Sequence, residues 1–225
     1  ALTVAQGLAV AALALLAVLA AWAARVHGTP RFCLAWMPLL ALGVALVVHQ
    51  WPGFHNPVVI DGARWSAGAP PFTQHLNFDK GSVGLVLVAL LAPRLRRGDG
   101  VGRMAAATAV VGAATAAAVL GLAVLAGVVR PDLKWPPQAA LFLLVNLFLT
   151  CVAEQALFRT LVQDPLRRTR AGPWGAMLLS ALLFGLAHAA GGGWMVVLSG
   201  MAGLGHALAY ERTRRIEAPI LVHFG

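Results

Sequence analysis

Long apolar runs broken by short basic or Gly/Pro-rich stretches set the pattern of this chain. The runs fall at about 2 to 24, 34 to 49, 81 to 93, 104 to 129, 138 to 160, 174 to 190 and 195 to 210, and an eighth begins at Ala218 and is cut off at Gly225. A helix needs about 20 apolar residues to cross a hydrocarbon core of about 30 Å, and most of these runs reach or approach that length. The third is short and draws on the preceding stretch, 76 to 80, to reach across. The expected fold is therefore all-α, a polytopic transmembrane helical bundle of about eight spans with the last truncated. No fixed-period repeat and no linker divides the chain, so residues 1–225 read as a single integral membrane domain.

Composition agrees with that reading. The chain is 60% hydrophobic and 11% charged, with a mean hydropathy of +0.79, which lies outside the range of soluble domains. A net charge of +9 would suit nucleic acid, but the basic residues sit in short runs between apolar segments, where a membrane protein keeps them. With the first loop cytoplasmic, that side receives Arg25, Arg31, Arg94, Arg96, Arg97, Arg103, Arg167, Arg168, Arg170, Arg212, Arg214 and Arg215. The opposite side receives Arg64, Lys80, Arg130 and Lys134, and Arg159 stays inside a span. This asymmetry supports eight spans with both ends outside the cytoplasm.

The first run is too long for a signal-peptide core and lacks a basic leader, so it reads as the first span. Cys33 and Cys151 lie in or beside apolar runs and imply neither a disulfide framework nor a thiolate metal site. Fifteen of the seventeen basic residues are arginine and alanine is abundant, which fits a GC-rich bacterial genome and a bacterial inner (cytoplasmic) membrane, crossed several times. The loop from 50 to 80 is rich in Pro, Gly and Trp, suited to the outer interface. His49, His55, His75, Asp61 and Asp79 in and around it match no closed metal-site spacing and read as ordinary loop residues.

The chemistry lies in polar residues placed inside the last four spans. A charge at the bilayer centre costs at least about 2.5–3.5 kcal/mol on insertion scales, so such residues face a protein interior and are functional by default. Glu154 and Arg159 lie in the fifth span, His188 in the sixth, His206 in the seventh and His223 in the eighth. At about 1.5 Å per residue, Glu154 is about 20 Å from Arg167 and His188 about 21 Å from Trp174, which puts the two at similar depth. His223 sits somewhat nearer the cytoplasm, and His206, six residues before Arg212, reads as interfacial or packing.

Four-residue spacing makes Gln155 a neighbour of Arg159, Glu154 of Phe158, and Phe184 of His188. A carboxylate with one or two imidazoles in a dry site is the minimal set for hydrolysis by water. Glu154 would serve as general base, and an imidazole would bind the water or the oxyanion. Two other readings use the same residues: a buried polar staple with its histidines satisfied by backbone carbonyls, and a proton relay in a small transporter. No matching inverted repeat supports the second.

The pattern EQALFR, then FGLAH, then a histidine in the last span resembles the CPBP family of intramembrane proteases, which includes the type II CAAX prenyl endopeptidases. That family is marked by EExxxR, FxxxH and HxxxN on successive helices. The matches are Glu154 with Arg159, Phe184 with His188, and His223, and the resemblance covers about 138 to 225, the catalytic core. It implies a glutamic-type endopeptidase in which Glu154 activates water with His188, His223 stabilises the oxyanion and Arg159 holds the first motif in place. The family mechanism implies no metal; the alternative is a zinc site made by Glu154, His188 and His223.

Two positions depart from the pattern: Gln155 replaces the second Glu, and the Asn expected after His223 would fall at 227, past the last residue. They favour an alternative, a non-proteolytic membrane scaffold or immunity protein on the same fold, against which Glu154, Arg159 and His188 stand. CAAX processing needs a prenylated cysteine, which bacteria generally do not make, so the expected substrate is a membrane-anchored polypeptide, such as a sorting-signal tail or an anti-sigma factor; the placement of the basic residues leaves no nucleic-acid partner.

Overall fold

The computed structural model describes residues 3–94 and 100–225. Arg96 and Arg97 of the charge count above lie outside the described residues. Eight helices are present among the described residues: α1 (Val4–Val26), α2 (Phe32–Val47), α3 (Phe78–Leu90), α4 (Val101–Leu125), α5 (Ala139–Arg167), α6 (Gly172–Ala187), α7 (Gly193–Thr213) and α8 (Glu217–Phe224). Three of them, α1, α4 and α5, are long and apolar enough to cross a membrane; α2 and α6 are shorter apolar helices. The protein is a helical multi-pass membrane protein.

The chain packs into two compact units, one of residues 1–91 with 132–157 and one of residues 92–131 with 158–225.

In the first unit, α1 opens with a capping box in which the Thr3 hydroxyl accepts from Gln6 N and the Gln6 side chain accepts from Thr3 N, satisfying two of the orphan donors at a helix start. Its buried stripe includes Ala12, Leu16, Ala20 and Ala23, facing α2 and α3. The 50–80 loop is not wholly irregular, as an all-helical chain would have it. It folds into an antiparallel hairpin of β1 (Val58–Ala63) and β2 (Phe72–His75), with Val58 opposite His75 and Ala63 opposite Phe72. Two four-to-six-residue strands among Pro and Gly are too short for an alternating pattern to stand out.

The hairpin is anchored by aromatic packing. Trp65, Phe72 and Phe142 form a triangle with ring centroids 5.0–5.7 Å apart. Trp65 Nε1 donates to Gln138 Oε1 at 3.3 Å, and Ser66 Oγ to Asp132 Oδ2 at 2.9 Å. Hydrogen bonds from Lys134 and Ser66 hold the Asp132 carboxyl below the usual carboxylate range. A close helix contact of this unit is at Gly84 of α3, where an added Cβ would lie 2.7 Å from Ala153 Cα.

The second unit gathers α4, the last turns of α5, α6, α7 and α8. Val111, Ala209, Ala218 and Val222 form an apolar cluster joining α4, α7 and α8. Glycine lets α4 and α7 approach: a Cβ at Gly205 would fall 2.0 Å from Thr115 Oγ1, the small-residue contact by which helices pack in lipid. At its basic end α7 closes on Arg214, in the left-handed conformation at φ 51°. The Arg214 guanidinium lies over the Tyr210 ring, 4.6 Å from its centroid, and pairs with Asp164. Arg167 Nε meets Glu211 Oε1 at 2.8 Å. In both units large apolar side chains such as Leu85, Val110 and Leu178 face outward, a surface that water would penalise and lipid accepts.

Candidate active site

Helix α5 carries the first candidate residues and is not a uniform α-helix. Two π-helical stretches, Asn146–Cys151 and Leu157–Gln163, flank the α-helical turn Val152–Ala156 that holds Glu154 and Gln155. Such stretches are rare and recur at functional sites, because the wider turn re-aims side chains. Glu154 is 9% exposed and Gln155 fully buried.

In the first unit the Glu154 carboxylate meets a cation from another helix. Lys80 Nζ, in the first turn of α3, donates to Glu154 Oε1 at 2.6 Å, with both side chains nearly buried. The neighbouring Asp79, 1% exposed, holds that turn in place. Asp79 bonds His49 Nδ1 at 2.7 Å through Oδ2, and its Oδ1 accepts from Asn56 Nδ2 at 3.1 Å and from Lys80 N at 2.8 Å. On sequence, Lys80 falls on the outer side and His49 and Asp79 among ordinary loop residues. The structure draws all three into a network behind Glu154.

In the second unit three imidazoles gather around one phenylalanine. Phe184 is 2% exposed, and the rings of Phe158, His188, His206 and His223 surround it at centroid distances of 5.0, 4.8, 5.3 and 5.7 Å. His206 and His223 stack, with centroids 4.6 Å apart and planes 29° apart. Phe184 and the three imidazoles line a cavity of about 310 Å³, closed in part by Thr115 and Ser199. His206, read from the sequence as interfacial or packing, is buried at the centre of this cluster. Counting residues back from Arg212 gave its depth but not its neighbours.

His188 sits at the C-terminal end of α6, which stops at Ala187 rather than running to 190. Its Nδ1 lies 2.8 Å from Phe184 O. A carbonyl only accepts, so this bond assigns the proton to Nδ1 and leaves Nε2 as the acceptor of the neutral ring. Arg159 is fully buried in the same unit. Its Nη1 donates to Gln163 Oε1, and Gln163 Nε2 donates to Ala207 O at 3.1 Å. Arg159 Nε and Nη2 have no hydrogen-bond partner among the described residues.

Among the described residues no group of three or more His, Cys, Asp or Glu side chains is placed to hold a metal ion. Zinc held by Glu154, His188 and His223 stays the alternative read from the sequence, and no step below runs through a metal.

No curated protein and no solved structure matches the chain. Residues 136–225, which hold every candidate from Glu154 to His223, match the family described as type II CAAX prenyl endopeptidase Rce1-like. Through these residues the chain is similar to the CPBP family of membrane proteases, to which the type II CAAX prenyl endopeptidases belong.

Proposed function

We propose that the protein is an intramembrane endopeptidase that hydrolyses a peptide bond of a membrane-anchored polypeptide through a water activated by Glu154. The observation that carries this reading is a buried carboxylate at 154 and a cavity lined by His188, His206 and His223, both inside the region that matches a protease family. The Glu154 carboxylate takes a proton from water as the oxygen attacks the scissile carbonyl. The oxyanion that forms accepts a hydrogen bond from an imidazole N–H of His223, while Nε2 of His188 orients the water. Collapse of the tetrahedral species breaks the C–N bond, and the proton held by Glu154 passes to the leaving amine. The products are a carboxylic acid and an amine, which settle by proton transfer as carboxylate and ammonium, and the enzyme returns to its starting state. Arg159 acts by holding the end of α5 through Gln163.

The same reading makes residues 1–225 one membrane domain of about eight spans in a bacterial inner membrane, with no metal required. Cleavage of a membrane peptide library by the purified protein tests it. Glu154→Gln and His188→Ala should each lose activity by about 10²–10⁴-fold, the usual worth of a positioned acid or base, while unfolding at the wild-type temperature. Equal cleavage by all three proteins overturns the site. Wild-type activity should survive a strong chelator, and its loss would restore the zinc alternative.

A further inference from the structure

We infer that Lys80, which lies outside the region matching the protease family, is the positioning residue of Glu154: its ammonium group keeps that carboxylate ionised and fixes its direction. The kinetic part of this inference rests on the proposed function; the electrostatic part does not.

Three observations carry it. Lys80 Nζ contacts Glu154 Oε1 at 2.6 Å, and the two side chains are 12% and 11% exposed, so water screens the pair little. The backbone bearing Lys80 is fixed from both sides. Asp79 ties its turn to His49 and Asn56, while Gly81 and Gly84 bring α3 against Leu149 and Ala153, the helix face that carries Glu154. Finally, a carboxylate has about four lone-pair sites on two oxygens, so a cation on Oε1 leaves acceptor capacity for a water proton.

A staple for α3 and α5 would use the same contact, but it would work as well with two apolar side chains. Buried ion pairs are commonly no more stabilising than well-packed hydrophobic residues of the same volume. Keeping a lysine against a carboxylate between two membrane helices serves the charge itself, since an opposite charge within about 4–6 Å favours the ionised carboxylate.

The test reads the carboxylate directly. A lipophilic carbodiimide adds, without loss of atoms, to protonated carboxyl groups to give an N-acylurea, and peptide mass mapping locates the adduct. In the detergent-solubilised full chain, Glu154 should label slowly in wild type and Lys80→Arg, and about tenfold faster or more in Lys80→Met, as expected when a nearby cation is lost. Lys80→Gln keeps a donor and the bulk of the side chain without the charge, and replaces Lys80→Met where that variant fails to fold. Equal labelling of wild type and the folded neutral variant overturns the inference. With substrate, kcat should fall at least about tenfold in Lys80→Gln, with KM little changed and Lys80→Arg restoring the rate; a change confined to KM would also overturn it. A wild type that cleaves nothing yet labels faster without Lys80 sinks the protease reading and leaves this assignment standing.

Discussion

His206 and His223 stack face to face, centroids 4.6 Å apart, with the edge of His206 set against Phe184. Stacked and edge-on rings of this kind contribute about 0.5–1.5 kcal/mol beyond their buried area, and here they also fix the plane of the imidazole proposed to face the oxyanion. His206→Phe keeps a ring in place and should retain cleavage within about threefold, whereas His206→Ala frees His223 and should cost about 10–100-fold, since small misplacements in an active site are costly. The comparison is made at matched folding, checked by thermal unfolding in detergent. Equal loss in both variants would mean that the His206 imidazole itself takes part in the chemistry.

The parts of the candidate site legible in the sequence are those whose signal is local. Glu154 and Arg159 stand out because charge inside an apolar run is costly, and Phe184 beside His188 follows from four-residue spacing on a helix. Lys80 escaped because its partner is 74 residues away and its helix spans only 13 residues, so it read as the end of a polar loop. His206 reads as interfacial or packing, and depth counted along one helix says nothing about which rings pack on it from α6 and α8. The π-helical turns around Glu154 leave no period in the sequence at all, since they arise from how the helix packs rather than from its composition.

Among the described residues, the buried Arg159 leans on one side chain. Its Nη1 donates to Gln163, and Gln163 is in turn held by the Ala207 carbonyl. Gln163→Leu removes the acceptor and leaves a guanidinium N–H unsatisfied in a dry interior, a loss of about 1–3 kcal/mol or more. Gln163→Glu supplies a charged acceptor and gives up only the donation to Ala207, so it should unfold well above Gln163→Leu. Thermal unfolding of both in detergent checks the order, and the reverse order would show that Arg159 is held elsewhere.

Close backbone approach makes Gly84 a second sensitive point. Any side chain there meets Ala153, one residue before Glu154, with Cα at 2.7 Å and N at 2.9 Å from the new Cβ. Gly84→Val should destabilise by about 1–3 kcal/mol, as overpacking does, and should lower cleavage more than it lowers the unfolding temperature, because the displaced segment bears the proposed base. Gly7→Ala is the control: its Cβ meets nothing within 4 Å, and it should leave both measurements unchanged. Activity preserved in Gly84→Val would separate the α3 contact from the chemistry.

Orientation in the membrane can be read from the two cysteines. Cys33 is exposed in the first turn of α2, and Cys151 is buried. Arg25 and Arg31 flank the α1–α2 turn, and cytoplasmic loops are the ones enriched in such residues. An impermeant maleimide should therefore label wild-type protein in inverted membrane vesicles and fail to label it in intact spheroplasts. The hairpin loop supplies the opposite reporter: Ala67 is exposed, so Ala67→Cys in a Cys33→Ser background should label from the outside alone. Labelling of both positions from one side would mean that α2, whose 16 residues extend about 24 Å, does not cross. That result would remove the proposed eight-span arrangement and with it the placement of Lys80 near the outer face.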